Sequence, residues 1–251
     1  MLPESRSRHS TPGTTTLLYP SVVSLNGFMS LTEQQRSRLA NLHSAMINDV
    51  TDEMGIDDNV IPCKRIRALW SREPAIGTAY TSQLVEIGYQ EERDDDPREV
   101  GDLQYLEEIG ESDFVVRAAP DDTDAGMWGE LLSTIAQERG AAGALIDGPT
   151  RDSRMIEDHG FPVWSEGHSS IESFGRVSLR ETGVPVEIEG VTIEPGDVVF
   201  ADYESIAVID PDIVDEVIER GEAELAMEDE VRADIRSGDS VYEVWDRYET
   251  L

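Results

Sequence analysis

The sequence is expected to fold as a mixed α/β domain with a strand-rich middle and helical ends. Three observations carry that expectation. Apolar residues recur at helical spacing near both ends of the chain, whereas short β-branched and aromatic runs separated by glycine and proline turns fill the middle. The apolar run 198–201 has the length of a strand, and no run approaches the roughly 20 residues that a membrane-spanning helix needs.

Taken in order, residues 1–28 stand apart. They hold one acid, Glu4, two arginines and Ser/Thr/Pro clusters. They lack the continuous apolar stretch of a signal peptide, and are expected to be a disordered tail or sequence translated upstream of a natural start at Met29. The folded part is expected to be one domain over 29–251. Ser30 and Glu33 have the spacing of a capping box. Leu39, Leu42, Met46, Val50 and Met54 then follow at helical spacing until Gly55 stops the helix. Residues 66–70 and 75–82 read as strands, 91–99 as a charge-dense loop, 103–109 as a short helix and 114–117 as a strand. After a loop at 121–126, a helix carries Trp128, Leu131, Leu132 and Ile135 and closes at Gly140. Residues 143–147 form a buried-type strand that ends at Gly148. Strands at 186–188, 191–193, 198–201 and 206–209 are separated by the turn signals Glu189-Gly190 and Pro195-Gly196. Pro211 opens a helical region that ends with Val241, Val244 and Trp245.

The charge is extreme. Fifty-three acids against 20 bases leave a formal net charge of −33, and Lys64 is the only lysine. Persistent hydrophobic periodicity argues against an acidic disordered chain. A folded protein whose acidic surface stays hydrated in high salt, where repulsion is screened, fits better and implies a halophilic, cytoplasmic setting. A polyanion would be repelled by this surface, so no nucleic-acid partner is expected, and no membrane partner either. Cys63 is the only cysteine, which excludes an intramolecular disulfide, and the four histidines lack zinc-ligand spacing.

The stretch 126–152 carries the chemistry. A glycine-flanked helix start, Gly126-Met127-Trp128-Gly129-Glu130, aims backbone N–H groups and the positive end of a helix dipole at one point, which suits a carboxylate or phosphate. The strand ending at Gly148 then delivers Arg151 and Asp152 onto a loop. Arginine offers a fork of donors to a carboxylate or enolate oxygen, and aspartate can hold a divalent ion through oxygen. The plain alternative is a surface Arg–Asp ion pair beside a helix cap. A nucleotide site is disfavoured, because Gly140-x-x-Gly143 lacks the dinucleotide pattern and no Walker lysine exists.

Gly126-x3-Glu130-x20-Arg151-Asp152 resembles the Gly-x3-Asp-x20-Arg-Asp signature of the class II pyruvate aldolases in the RraA-like / 4-hydroxy-4-methyl-2-oxoglutarate aldolase family. Residues 43–55, 160–164, 184–186, 190–197 and 201–202 resemble further elements of the same family in the same order. The resemblance implies a swivelling β/β/α, phosphohistidine-domain-like fold and a homotrimer or dimer of trimers with sites at subunit interfaces. It implies a 2-oxo acid substrate cleaved to pyruvate, with oxaloacetate decarboxylation as a related activity, and Mg2+ or Mn2+ as cofactor. Gly129, Glu130, Leu131 and Leu132 would present groups to the pyruvyl end of the substrate. Arg151 would stabilise the enolate oxygen, Asp152 would bind the metal, and Glu130, where the family often has Asp, would orient a water on it. Glu228 or Glu230 from a neighbouring subunit would complete the surroundings. Two other activities come with the family. One is a non-catalytic regulator that binds a ribonuclease or RNA-processing partner, against which the Arg151-Asp152 pair and its upstream acid speak. The other is a methyltransferase, which lacks its glycine-rich nucleoside loop here.

Overall fold

The computed structural model describes residues 31–87, 102–120 and 123–250. The expected tail, Ser30 and the loop at 91–99 lie outside them. Thr32 caps α1 (Glu33–Leu39) in place of Ser30: its hydroxyl accepts the Gln35 N–H at 3.2 Å while the Gln35 carboxamide oxygen takes the Thr32 N–H at 3.0 Å. The periodic run expected as a single helix is broken at 40–43. His43 caps α2 (Ser44–Glu53), its Nδ1 accepting the Met46 N–H at 3.2 Å. Leu39, Leu42, Met46 and Val50 nevertheless share one core, so the spacing reported a common face across two helices.

The remaining elements follow in order. β1 (Val60–Pro62), β2 (Arg67–Ala68) and β3 (Ala75–Glu86) precede α3 (Asp102–Glu108) and β4 (Asp113–Ala118). Then come α4 (Glu130–Glu138), β5 (Gly143–Thr150), α5 (Ser153–His159) and β6 (Val163–His168). β7 (Val177–Thr182), β8 (Val186–Ile188), β9 (Val191–Ile193), β10 (Val198–Ala201) and β11 (Ser205–Ile209) lead to a 3-10 turn at Pro211–Ile213. α6 (Val214–Ser237) and α7 (Val241–Tyr248) end the described chain. The strand expected at 66–70 shrinks to two residues, and β1, α5, β6 and β7 are additions to the expected set.

Nine strands form one sheet in the order β1-β11-β10-β3-β4-β5-β6-β2, with β7 pairing the end of β3. β3, β4, β5 and β6 run parallel to one another, and the flanking pairs are antiparallel. Parallel strands need both faces covered, and three apolar clusters supply this. The β8–β9 hairpin packs with Phe114, Val116, Leu145 and Trp164. Tyr105, Val115, Trp128, Ile146, Ile156 and Phe161 gather α3, α4 and α5 over the parallel strands. α1, α2 and α6 cover β10 and β11 through Met46, Phe200, Val217 and Ile218. The chain is thus a mixed α/β domain. Its parallel strands end together on one edge, where open α/β sheets place their ligand sites.

Candidate active site

β5 runs past Gly148, where the sequence suggested its end, and reaches Thr150 after a register shift against β6 between Ile146 and Pro149. Beyond Thr150 the chain turns sharply. Asp152 adopts φ 55, ψ 26, a left-handed conformation that aspartate tolerates better than most residues but that still costs about 1–2 kcal/mol. Asp152 occupies the N-cap position of α5, yet its side chain makes no capping hydrogen bond. Its carboxylate is therefore not used by its own helix.

The segment 126–128 is stitched to that strand end. The Met127 N–H donates to the Pro149 carbonyl at 2.9 Å, the Arg151 N–H to the Trp128 carbonyl at 2.8 Å, and the Gly126 N–H to the Ile171 carbonyl at 2.8 Å. Trp128 anchors the segment from below: it is 1% exposed, and its indole N–H donates to Ser133 Oγ at 2.8 Å. Both glycines of the motif answer to close approach. A Cβ on Gly126 would stand 2.6 Å from the Ser169 carbonyl oxygen and 3.1 Å from Arg151 Cβ. One on Gly129 would stand 3.0 Å from Asp152 Oδ2 and 3.1 Å from Arg151 Cγ. Gly129 caps α4 with no side-chain hydrogen bond, so the positive end of that helix lies bare beside Asp152.

The result is a cleft of about 370 Å³, lined by Gly129, Leu131, Leu132, Arg151 and Asp152 on one side. Arg117, Glu172, Phe174 and Val177 are among the residues that complete its wall. Arg151 Nε lies 3.3 Å from Asp152 Oδ2, and its NH1 lies 4.0 Å from Glu172 Oε1. Leu131 borders this cleft with 70% of its surface exposed, and Met155 of α5 is 50% exposed.

Five of the expected residues, Gly129, Leu131, Leu132, Arg151 and Asp152, thus come together. Glu130 does not line the cleft: its carboxylate accepts the Thr134 hydroxyl at 3.0 Å and lies 3.6 Å from His159 Nδ1. The cause is helical geometry, since the first residue of α4 turns its side chain toward the position four residues on and toward the end of α5. Glu228 and Glu230 sit on α6, where Glu228 pairs with Arg232, and neither lines the cleft. Asp147 is held by Arg65, which also pairs with Glu166 and Glu189, away from the site. Lys64 is likewise outside the cleft. Sequence patterning missed Glu172 and Arg117; a charged residue inside the apolar run of β4 was the one available signal for the latter.

Three carboxylates, Asp102, Asp152 and Glu172, line the cleft, and Asp152 is the one beside Gly129. Among the described residues no three His, Cys, Asp or Glu side chains converge as a metal cage. Asp152, paired with Arg151 but not used to cap α5 and faced by a glycine without a Cβ, could hold a hard cation. Mg2+ typically takes one or two carboxylates and keeps water or substrate oxygens in its other positions.

Fold and cleft together define an α/β protein whose arginine–aspartate pair is held at a strand end over a bare helix N-terminus. A family model described as RraA-like, Aldolase/RraA, matches residues 44–208, more than half of the chain, and the chain belongs to the RraA-like family. Protein DlpA of Legionella pneumophila is 28% identical over 217 residues, 84% of this chain and 33% of its own length. A protein of Halalkalibacterium halodurans named "Putative 4-hydroxy-4-methyl-2-oxoglutarate aldolase" is 28% identical over 130 residues, 52% of this chain and 61% of its own length. The chain therefore spans about a third to three fifths of the lengths of these curated relatives. Among solved structures, an uncharacterized protein from Pseudomonas syringae superposes with a TM-score of 0.76 at 23% identity, covering 93% of this chain and all of that one. RraAS2 of Streptomyces coelicolor, described as an unusual member of the RNase ES inhibitor RraA family, gives 0.71 at 23% identity, over 82% and 98%. These two likenesses establish the fold.

Proposed function

We propose that the chain is a divalent-metal-dependent carbon–carbon lyase. It would cleave a 4-hydroxy-2-oxo acid of the 4-hydroxy-4-methyl-2-oxoglutarate type to pyruvate, and would decarboxylate oxaloacetate by the same chemistry. The observation that carries this reading is the Arg151–Asp152 pair lining a cleft, packed closely against Gly129 at the uncapped start of α4. The names of curated relatives, including that of Halalkalibacterium halodurans, support it.

In this proposal Asp152 holds Mg2+ or Mn2+, which when bound supplies Lewis-acid polarisation of the 2-oxo group. The uncapped N–H groups at the start of α4 receive the pyruvyl carboxylate. Cleavage breaks the C3–C4 bond and leaves its electron pair on the pyruvyl fragment as an enolate. Arg151 donates to the developing enolate oxygen, a preorganised contact of the kind worth about 3–4 kcal/mol in a barrier. Glu172, whose Oε1 lies 4.0 Å from Arg151 NH1, would take the proton of the C4 hydroxyl and return it to C3 of the enolate, giving pyruvate. A Schiff base is not required, in keeping with Lys64 lying outside the cleft. A homotrimer or dimer of trimers, in which Glu228 or Glu230 of a second copy closes the site, belongs to the same proposal.

The regulator reading, prompted by the likeness to RraAS2, needs neither a carboxylate withheld from capping at Asp152 nor a glycine at 129, and the presence of both in one cleft favours catalysis. The test is a pyruvate-release assay over 4-hydroxy-2-oxo acids and oxaloacetate, with Mg2+ and high salt. Metal-dependent pyruvate release is expected; none from any acid in the panel would refute the proposal.

A further inference from the structure

The cleft contains a second guanidinium that the chemistry above leaves unused. Arg117 lies on β4, paired in register with Ile146 of β5, the strand that carries Arg151 at its end. Its side chain is only 5% exposed, yet it helps to line the cleft. NH2 donates to Asp102 Oδ1 at 2.9 Å, and the guanidinium carbon stands 5.5 Å over the Tyr105 ring. Nε has no hydrogen-bond acceptor among the described residues. Burying a charged donor without an acceptor is costly.

The Asp102 carboxylate engages NH2 of this guanidinium alone. Asp102 lines the same cleft and its side chain is 37% exposed against 5% for Arg117, so the anion is the better hydrated member of the pair. An ion pair built only to tie α3 to the sheet would not require the cation to border a cleft. Partly screened by Asp102, the charge of Arg117 still acts on whatever occupies that space.

We infer that Arg117 binds a second carboxylate of the substrate, remote from the pyruvyl end, and so selects 2-oxo diacids over 2-oxo monoacids. This inference rests on the lyase reading for the orientation of the ligand, with its 2-oxo acid end at Arg151 and Asp152. The remote carboxylate shares the terminal, cleft-facing end of the guanidinium with Asp102, while the buried Nε stays out of its reach. Asp102 is then a competitor as well as a partner, and the two residues must fail in opposite directions.

The test is calorimetry on the full chain with Mn2+, comparing 2-oxoglutarate with 2-oxopentanoate, which differ by a carboxylate replaced with a methyl. Wild type is expected to prefer the diacid. Arg117→Gln should cut that preference about 10- to 100-fold, the usual scale for a hydrogen bond to a charged group, with 2-oxopentanoate binding unchanged. Arg117→Lys should keep part of it, since a point charge replaces the fork. Asp102→Asn, which removes the competing anion, should raise it. Should Arg117→Gln fail to fold, Arg117→Lys and Asp102→Asn carry the same test. Equal losses for both ligands, or Asp102→Asn lowering the preference as Arg117→Gln does, would make the pair a structural strut and overturn the inference. Pyruvate release from wild type with no diacid preference at Arg117 refutes this inference alone. An Arg117-dependent preference with no pyruvate release from any acid refutes the lyase reading alone.

Discussion

Arg151 and Asp152 face each other at 3.3 Å, Nε to Oδ2, with Asp152 in a left-handed backbone conformation and its carboxylate absent from the cap of α5. A residue type that ordinarily stabilises a helix start is here strained and withheld from that role. Backbone strain of this kind gathers at functional sites, where the surroundings hold it in place.

Gly129 tests how tight that arrangement is. Its φ of −148° is one that any residue adopts, so Gly129→Ala carries no backbone penalty of its own. The added methyl would instead meet Asp152 Oδ2 at 3.0 Å and Arg151 Cγ at 3.1 Å. Activity and Mn2+ affinity should fall tenfold or more, by about 1.4 kcal/mol or greater, while the melting temperature stays close to that of wild type. A variant with normal turnover would show that the space over the pair is not used.

Trp128→Phe should lower stability by about 1–3 kcal/mol, because the buried Ser133 hydroxyl loses its indole donor. Since the Trp128 carbonyl also accepts the Arg151 N–H, activity should fall with it. Urea unfolding gives the first quantity and turnover the second; unchanged values in both would remove Trp128 as the anchor of the 126–128 segment.

Burial pushes the Asp113 and Asp197 carboxyls up to about 6, although each accepts a backbone N–H, from Gly110 at 2.7 Å and from Glu194 at 2.8 Å. Unfolded aspartate titrates near ~3.9. The folded state therefore takes up these protons first as the pH falls. Their stability contribution is complete below about pH 4 and is lost as the pH rises through about 6. Melting temperature should rise between pH 8 and pH 5, and the Asp113→Asn, Asp197→Asn double variant should flatten that slope at high salt. An unaltered slope would place the effect on other carboxylates.

The formal charge of −33 should make the fold depend on salt. Lowering the salt from 1 M to 0.1 M lengthens the Debye length from about 3 Å to about 10 Å and restores repulsion between surface acids. Each kcal/mol lost on dilution should appear as a fall of about 2–4 °C in melting temperature. A flat profile would count against a surface adapted to high salt.

Much of this site was legible because its parts are local. The glycines at 126 and 129, the buried strand and the Arg-Asp pair occupy one continuous stretch, and their spacing mirrors the contacts they make. The expected capping box and long helix failed for local reasons as well. Thr32 and Gln35 compete with the pattern at Ser30, and histidine is an uncommon helix cap. α5 was invisible because only Ile156 of its seven residues is buried, which leaves no periodicity to detect. β6 buries its first three residues alone, so neither alternation nor a full apolar run marks it. The orientation of Glu130 and the burial of Arg117 depend on what α5 and α3 bring from elsewhere, and spacing along the chain does not encode that.

The account stands most directly on one titration. Mn2+ binding, followed by calorimetry in high salt, should be retained by Arg151→Ala and strongly weakened in Asp152→Ala, since a hard cation there loses its charged oxygen ligand. Arg151→Ala should instead lose turnover by about 3–4 kcal/mol in the barrier, with little recovered by Arg151→Lys. If Asp152→Ala binds Mn2+ as wild type does, the carboxylate facing Gly129 is not the metal ligand and the proposed site is wrong.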